Sequence, residues 1–158
     1  MSSSYSLRVV GDGPVADALT AMSAPLGWDV TTTTDDVTVP EGLDALVVTS
    51  HHEGVDAPVI RAALAAGTAY IGAMGSRRTQ ERRREWLLAH GVDEADLARV
   101  HAPIGLDIGA DGPAEIAVSI LAEVVAVRAG RDAVASVSSR SGPIHPELAP
   151  GTATCPGG

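Results

Sequence analysis

An α/β architecture, a doubly wound parallel sheet with helices on both faces, is predicted by three features of this 158-residue sequence. Short runs rich in Val, Ile, Thr and Leu alternate with helix-like segments along the chain, the first run passes directly into a glycine turn, and the third is continuously apolar. A continuous apolar run is what a strand covered on both faces requires. Strands that alternate with helices need right-handed crossovers, which places the helices on both sides of the sheet.

Each element has a local reason. Leu7–Val10 is a short strand signal leading into GDGPVADAL, a tight turn that opens a helix reaching about Ala24. After Gly27, WDVTTTT carries the β-branched residues of a second strand, and DALVVTS, Asp44–Ser50, is the third. Asp56 and Pro58 begin a helix through about Ala66, with Asp56 as its expected N-cap and Gly67 as its stop. Ala69–Met74 is a fourth strand feeding an arginine-rich helix that continues to His90 and stops at Gly91. A helical turn over Asp93–Ala98 precedes a fifth strand, VHAPI. The last helix is the best marked: Gly112 is its N-cap, Pro113 takes the first helical position and Glu115 reaches back as in a capping box. Its residues Ile116, Ile120, Leu121, Val124 and Val127 form one apolar stripe.

Residues 1–130 therefore read as a single Rossmann-like domain. From about Arg131 the composition turns to Ser, Gly and Pro, too poor in apolar surface to offset its ordering entropy. Residues 131–158 are expected to form a flexible tail, with an edge strand at Val134 and Val137 as the alternative.

Composition excludes several functions. Aromatic residues are only 3% of the chain and Phe is absent, so the core must be assembled from Val, Ile, Leu and Ala. A net charge of -9 repels a polyanion, which argues against nucleic acid as a partner. One cysteine, Cys155, allows neither an internal disulfide nor a cysteine-based zinc site and fits a reducing compartment. The longest apolar region, Ile116–Val127, contains Glu123 and is too short to span a bilayer, and MSSSYSLRVV lacks the pattern of a signal peptide. A soluble cytoplasmic protein with no membrane partner is expected.

Four segments carry candidate chemistry. Gly11-Asp12-Gly13-Pro14-Val15-Ala16 matches the dinucleotide-binding turn: the first Gly makes the turn, the second lets a pyrophosphate approach, and the small final residue packs helix on strand. The acid expected at the end of the second strand is replaced by Thr34, followed by Asp35 and Asp36. In Gly75-Ser76-Arg77-Arg78, two cations occupy a helix start, where the macrodipole disfavours each by roughly 0.3 to 1 kcal/mol. Free backbone N–H groups, the Ser76 hydroxyl and two guanidiniums would together clamp a phosphate or carboxylate. Arg82, Arg83 and Arg84, interleaved with Glu81 and Glu85, read instead as a solvated helix face. Thr49-Ser50-His51-His52-Glu53 follows the third strand at the sheet edge, where His52 suits hydrogen bonding to a ligand better than metal binding, because adjacent side chains diverge. His101, on a strand, reads as a packing residue. Gly105 and Asp107 lie in a loop whose glycines permit close approach, with Asp107 either holding a ligand N–H or orienting the loop.

Taken in order, GDGPVADAL, TSHHEGVD, GSRRT and HAPIGLDIGADGPAEIAVSILAE resemble the C-terminal Rossmann domain of the xanthine dehydrogenase accessory family, the XdhC/CoxI type, over about Leu7 to Gly130. The resemblance implies a molybdenum-cofactor chaperone that binds the molybdopterin cofactor, supports its sulfuration and delivers it to a molybdenum hydroxylase client. It carries over Gly11, Gly13, Thr49, His52, Gly75, Ser76, Arg77, Arg78, Gly105 and Asp107 as cofactor-binding positions, with Pro14 in the same turn. Ser50 and His51 stand where the family usually has His and Asp, and Thr34 replaces its usual acid. The family's separate cysteine-bearing N-terminal domain has no counterpart in this sequence, so a second chain supplying it is expected among the partners. A non-catalytic accessory protein is therefore expected, working as a homodimer because a small sheet leaves edges and an apolar helix to cover. The alternatives are an NAD(P)- or FAD-binding oxidoreductase or sensing module, and a docking module without a ligand.

Overall fold

The computed structural model describes residues 3–131, 133–135 and 137–139. Five parallel strands, β1 (Ser6–Val10), β2 (Asp29–Thr33), β3 (Ala45–Val48), β4 (Tyr70–Ala73) and β5 (Val100–His101), form one sheet in the order β2-β1-β3-β4-β5. The crossovers are α1 (Pro14–Ser23), α2 (Asp56–Ala66) and α3 (Arg77–Ala89), with the short α4 (Glu94–Leu97) before β5 and α5 (Pro113–Arg128) after it.

Both faces are covered, and each has its own core. Leu46, Val48, Ile60, Ile71 and Leu87 pack under α2 and α3, whereas Leu7, Val9, Leu19, Tyr70, Ile120 and Val124 pack under α1 and α5. β3 is buried at all four positions, which explains its uninterrupted apolar run. The expected stripe of α5 faces this core: Ile120, Leu121 and Val124 are buried and Ile116 and Val127 pack against them.

Several local expectations are corrected. Helix α2 is capped by Val55, and Asp56 is its first residue, fully buried and held by arginines from α3. The Glu115 carboxylate accepts from the Asp111 amide at 3.5 Å rather than from Gly112. β5 pairs over only two residues, because Ala102 and Pro103 turn away through a cis peptide bond, although the Ile104 amide still donates to the Ala73 carbonyl at 3.2 Å. Val137–Ser139 is a 3-10 turn, not an edge strand. The remainder of the expected tail, Cys155 included, lies outside the described residues.

Candidate functional site

The strand order reverses at β1, whose neighbours β2 and β3 lead in opposite directions, and open α/β sheets bind ligands at such a point, beyond the carboxyl ends of the strands. The Gly11–Pro14 turn and the Thr49–His52 loop leave β1 and β3 at this place. With Val15, Thr34, His51 and Met74 they line a hollow of about 340 Å³. Met74 is shared with a second hollow of about 320 Å³, walled by Gly75, Pro103, Leu106, Asp107, Ile108 and the start of α5. One crevice therefore crosses the ends of β1, β3 and β4.

The glycines divide by role. Gly11 has a φ of 133°, and a Cβ there would lie 2.2 Å from Thr49 Oγ1 and 2.8 Å from the Ser50 nitrogen, so it is required by the approach of β1 to β3. Gly13, with a φ of 100°, meets nothing within 4 Å and caps α1 without a side-chain bond, leaving the first-turn amides of Val15 and Ala16 open. Gly105 is a packing position, because a Cβ would lie 2.6 Å from Ser119 Oγ. Thr49 is buried with its hydroxyl 3.4 Å from the Val10 carbonyl, whereas His52 is exposed on the crevice wall.

Helix α3 begins as its sequence predicts. Ser76 Oγ accepts from the Thr79 amide at 3.2 Å, and Arg77 and Arg78 follow in the first turn, both exposed. Neither has a hydrogen-bond or ion-pair partner among the described residues. They do not converge on one point. Arg77 lines a groove of about 410 Å³ that shares Pro103 with one end of the crevice, and Arg78 lines a polar hollow of about 540 Å³ that shares His51 with the other.

The rest of this helix is not the solvated face expected of it. Arg83 is 2% exposed and acts as a brace: its Nε donates to Asp56 Oδ2 at 2.7 Å, Nη2 to the Ser50 carbonyl at 2.8 Å, and Nη1 to the Met74 carbonyl and, at 3.2 Å, to Gln80 Oε1. Arg82 also reaches Asp56 Oδ2 at 2.7 Å and lies 3.5 Å from Glu53, and Arg84 pairs with Glu94. Burial opposes ionisation of Asp56, but the bonds from Arg82, Arg83 and the Ala57 amide outweigh it and hold the carboxyl below its usual range. Arg83 thus fixes the loops after β3 and β4, the two that wall the crevice. Nothing local in the sequence marks it, since Asp56 lies 27 residues away.

The Gly105–Asp107 arm is held from α5. Glu123 Oε1 accepts from the Tyr70 hydroxyl at 2.7 Å and the Gly105 amide at 3.2 Å, with His101 Nδ1 at 3.4 Å. His101 stacks on Tyr70 with centroids 4.9 Å apart, the packing role expected of it. Burial, and then the bond to Glu123, push the Tyr70 hydroxyl far above its ordinary pKa, so it remains a donor. Asp107 bonds to nothing among the described residues, which leaves its carboxylate on the crevice wall without a loop-orienting bond. Among the described residues no group of three or more His, Cys, Asp or Glu side chains is placed to hold a metal ion, and no helix is long and apolar enough to cross a membrane.

Comparison with known proteins agrees with this arrangement. The chain is 38% identical over 85 residues to a probable xanthine dehydrogenase subunit of Bacillus subtilis (strain 168), a match covering 54% of this chain and 24% of that protein. It is 34% identical over 84 residues to PaoD, a molybdenum cofactor insertion chaperone of Escherichia coli (strain K12), covering 53% of this chain and 26% of that protein. An uncharacterised Escherichia coli (strain K12) protein, YqeB, is 45% identical over 60 residues, 38% of this chain and 11% of that one. The matches thus span about a quarter or less of these relatives' lengths. A crystal structure of a xanthine dehydrogenase from Bacillus halodurans shares the fold with a TM-score of 0.67 at 23% identity, over 87% of this chain and 46% of that one. The family model described as the XdhC Rossmann domain matches residues 7–124, the stretch that builds the sheet, the glycine turn, the arginine helix and α5, and the chain belongs to that family.

Proposed function

We propose that this domain holds the molybdenum cofactor, an anionic pterin, in the crevice and serves its insertion into a xanthine dehydrogenase-type molybdenum hydroxylase. The observation that carries the reading is the contrast within α3: Arg82, Arg83 and Arg84 each have a carboxylate partner, whereas Arg77 and Arg78, flanking the two ends of the crevice, have none among the described residues. Two unpaired cations at a helix N-terminus are disfavoured by the macrodipole, and a bound anion relieves that conflict. The uncapped α1 supplies further N–H donors at the crevice wall, and Asp107 lines the other hollow, suited to an N–H of a heterocycle. Relatives named as a molybdenum cofactor insertion chaperone and a probable xanthine dehydrogenase subunit point to the same cargo and client. A second chain would supply what the rest of those longer proteins contributes.

Equilibrium titration of the protein with purified molybdenum cofactor tests this. Arg77→Ala/Arg78→Ala is expected to weaken binding by about tenfold or more, corresponding to at least ~1.4 kcal/mol, while Arg84→Ala leaves it unchanged. Equal affinity of all three proteins would remove the reading. A dinucleotide, NAD(P) or FAD, is the second reading, favoured by the glycine turn at the switch point. The hollow between α1 and β2 that would receive its ribose is lined by Asp12, Asp17, Thr34 and Asp35. Binding of NADH, NADPH or FAD in the same titration, with no cofactor binding, would establish it instead.

A further inference from the structure

The sheet has two edges, and they are protected differently. An unpaired strand edge is a template for another chain, and proteins blunt edges with short strands, charges, proline or bulges. β5 is blunted, being two residues long and running into Pro103. β2 spans five residues, and Val30–Thr34 is an unbroken run of uncharged β-branched residues. Two bonds show which of its groups face outward. The Asp29 amide donates to the Tyr5 carbonyl at 2.9 Å, and the Thr33 carbonyl accepts from the Gly11 amide at 2.8 Å, so Asp29 and Thr33 turn their backbone groups toward β1. Sides alternate along a strand, so Val30, Thr32 and Thr34 present theirs to the open edge. Among the described residues nothing bonds to them.

We propose that the outer edge of β2 pairs antiparallel with β2 of a second copy of this chain, joining two five-stranded sheets into one. A twofold axis sets the same strand against itself, which only antiparallel pairing allows. An axis through Thr31 brings the outward groups of Val30 and Thr32 together and sets Asp29 against Thr33. An axis through Thr32 would oppose Asp29 and Asp35, two like charges. With a net charge of -9, copies of this chain repel one another over most of their surface, and the uncharged run of β2 is where they approach without a charge conflict. Thr34, at the end of this edge, also lines the crevice, so each copy's site lies beside the junction. The proposal holds whatever the crevice binds.

Sedimentation equilibrium of the full chain tests it. The wild type is expected to be a dimer that tightens with added salt as the mutual repulsion is screened. Thr32→Pro removes an outward N–H without touching the ladder to β1, and Thr31→Glu sets two carboxylates face to face at the axis while keeping Arg8 as an internal neighbour. Each is expected to weaken the dimer at least tenfold, and Thr31→Glu alone decides the matter where Thr32→Pro fails to fold. Val118→Asp, on the exposed side of α5, is expected to leave the dimer intact. A monomeric wild type, a dimer indifferent to Thr31→Glu, or a dimer lost only in Val118→Asp would each overturn the proposal.

Discussion

At the scale of single residues, the buried Asp56–Arg83 contact decides how firmly the crevice walls are held. Arg83 satisfies four acceptors, three of them outside its own helix, and its removal leaves Asp56, Ser50 and Met74 with unmet polar groups in the interior. Arg83→Met is therefore expected to cost about 3–5 kcal/mol in urea unfolding, whereas Arg82→Ala, at a partly exposed pair, costs only about 1 kcal/mol or less. The same contact predicts a pH dependence. The folded-state pKa of Asp56 is depressed below its ordinary 3.8, so its contribution is complete above that value and is lost as acid titrates the folded carboxylate. The stability gap between wild type and Asp56→Asn, measured by urea unfolding at stepped pH, should accordingly be full at neutrality and shrink below the ordinary value. A gap that widened in acid would contradict the assignment. Gly11 and Gly13 give a second contrast. Gly11→Ala drives a methyl into Thr49 and the Ser50 backbone and is expected to cost about 1–3 kcal/mol beyond the strain of its φ. Gly13→Ala meets open space and costs only that strain, about 1–2 kcal/mol.

At the scale of elements, α5 is tied to the sheet and to the crevice by one carboxylate. Glu123→Ala would leave the buried Tyr70 hydroxyl and the Gly105 amide without an acceptor, an expected cost of about 1–3 kcal/mol, with faster amide exchange at Gly105. Glu123→Gln keeps a carbonyl oxygen in place and should retain most of the protection. Equal exchange in both variants would show that the arm is held otherwise. Which elements the sequence discloses follows from the range of the forces that make them. Proline at the first position of α1 and α5, the serine cap of α3 and the apolar run of β3 are local signals, and each sits where the pattern places it. Asp56 preceding Pro58 also looks like a local cap, but its carboxylate answers to arginines 26 and 27 residues downstream. Arg83 is indistinguishable in the sequence from Arg82 and Arg84, because only the tertiary position of α2 makes it internal. The glycine turn is legible as a turn at a switch point, yet the steric need for Gly11 arises from Thr49, just beyond another strand. The Tyr70–Glu123 bond spans 53 residues and leaves no trace in spacing.

At the scale of the whole molecule, stability and cargo binding should be separable, because the proposed anion contacts contribute nothing to the unliganded fold. Arg77 and Arg78 are exposed and pair with nothing among the described residues, so Arg77→Ala/Arg78→Ala should melt within about half a kcal/mol of the wild type, or slightly higher through relief of the helix dipole. A ligand that binds only the folded state adds RT ln(1 + [L]/Kd), about 2.7 kcal/mol at a hundredfold excess over Kd. For a chain of this size each kcal/mol moves the melting temperature by about 2–4 °C, so molybdenum cofactor at that excess should raise it by roughly 5–10 °C. The double variant should lose most of that rise while its unliganded melting point stays put. Loss of the rise together with a lower unliganded melting point would instead make the two arginines part of the fold's own support. A rise undiminished in the variant would move the anion to the N-terminus of α1, the other helix start that opens on the crevice. Both results are read from thermal melts of the same two proteins with and without cofactor, so the contributions of fold and cargo are resolved in one measurement.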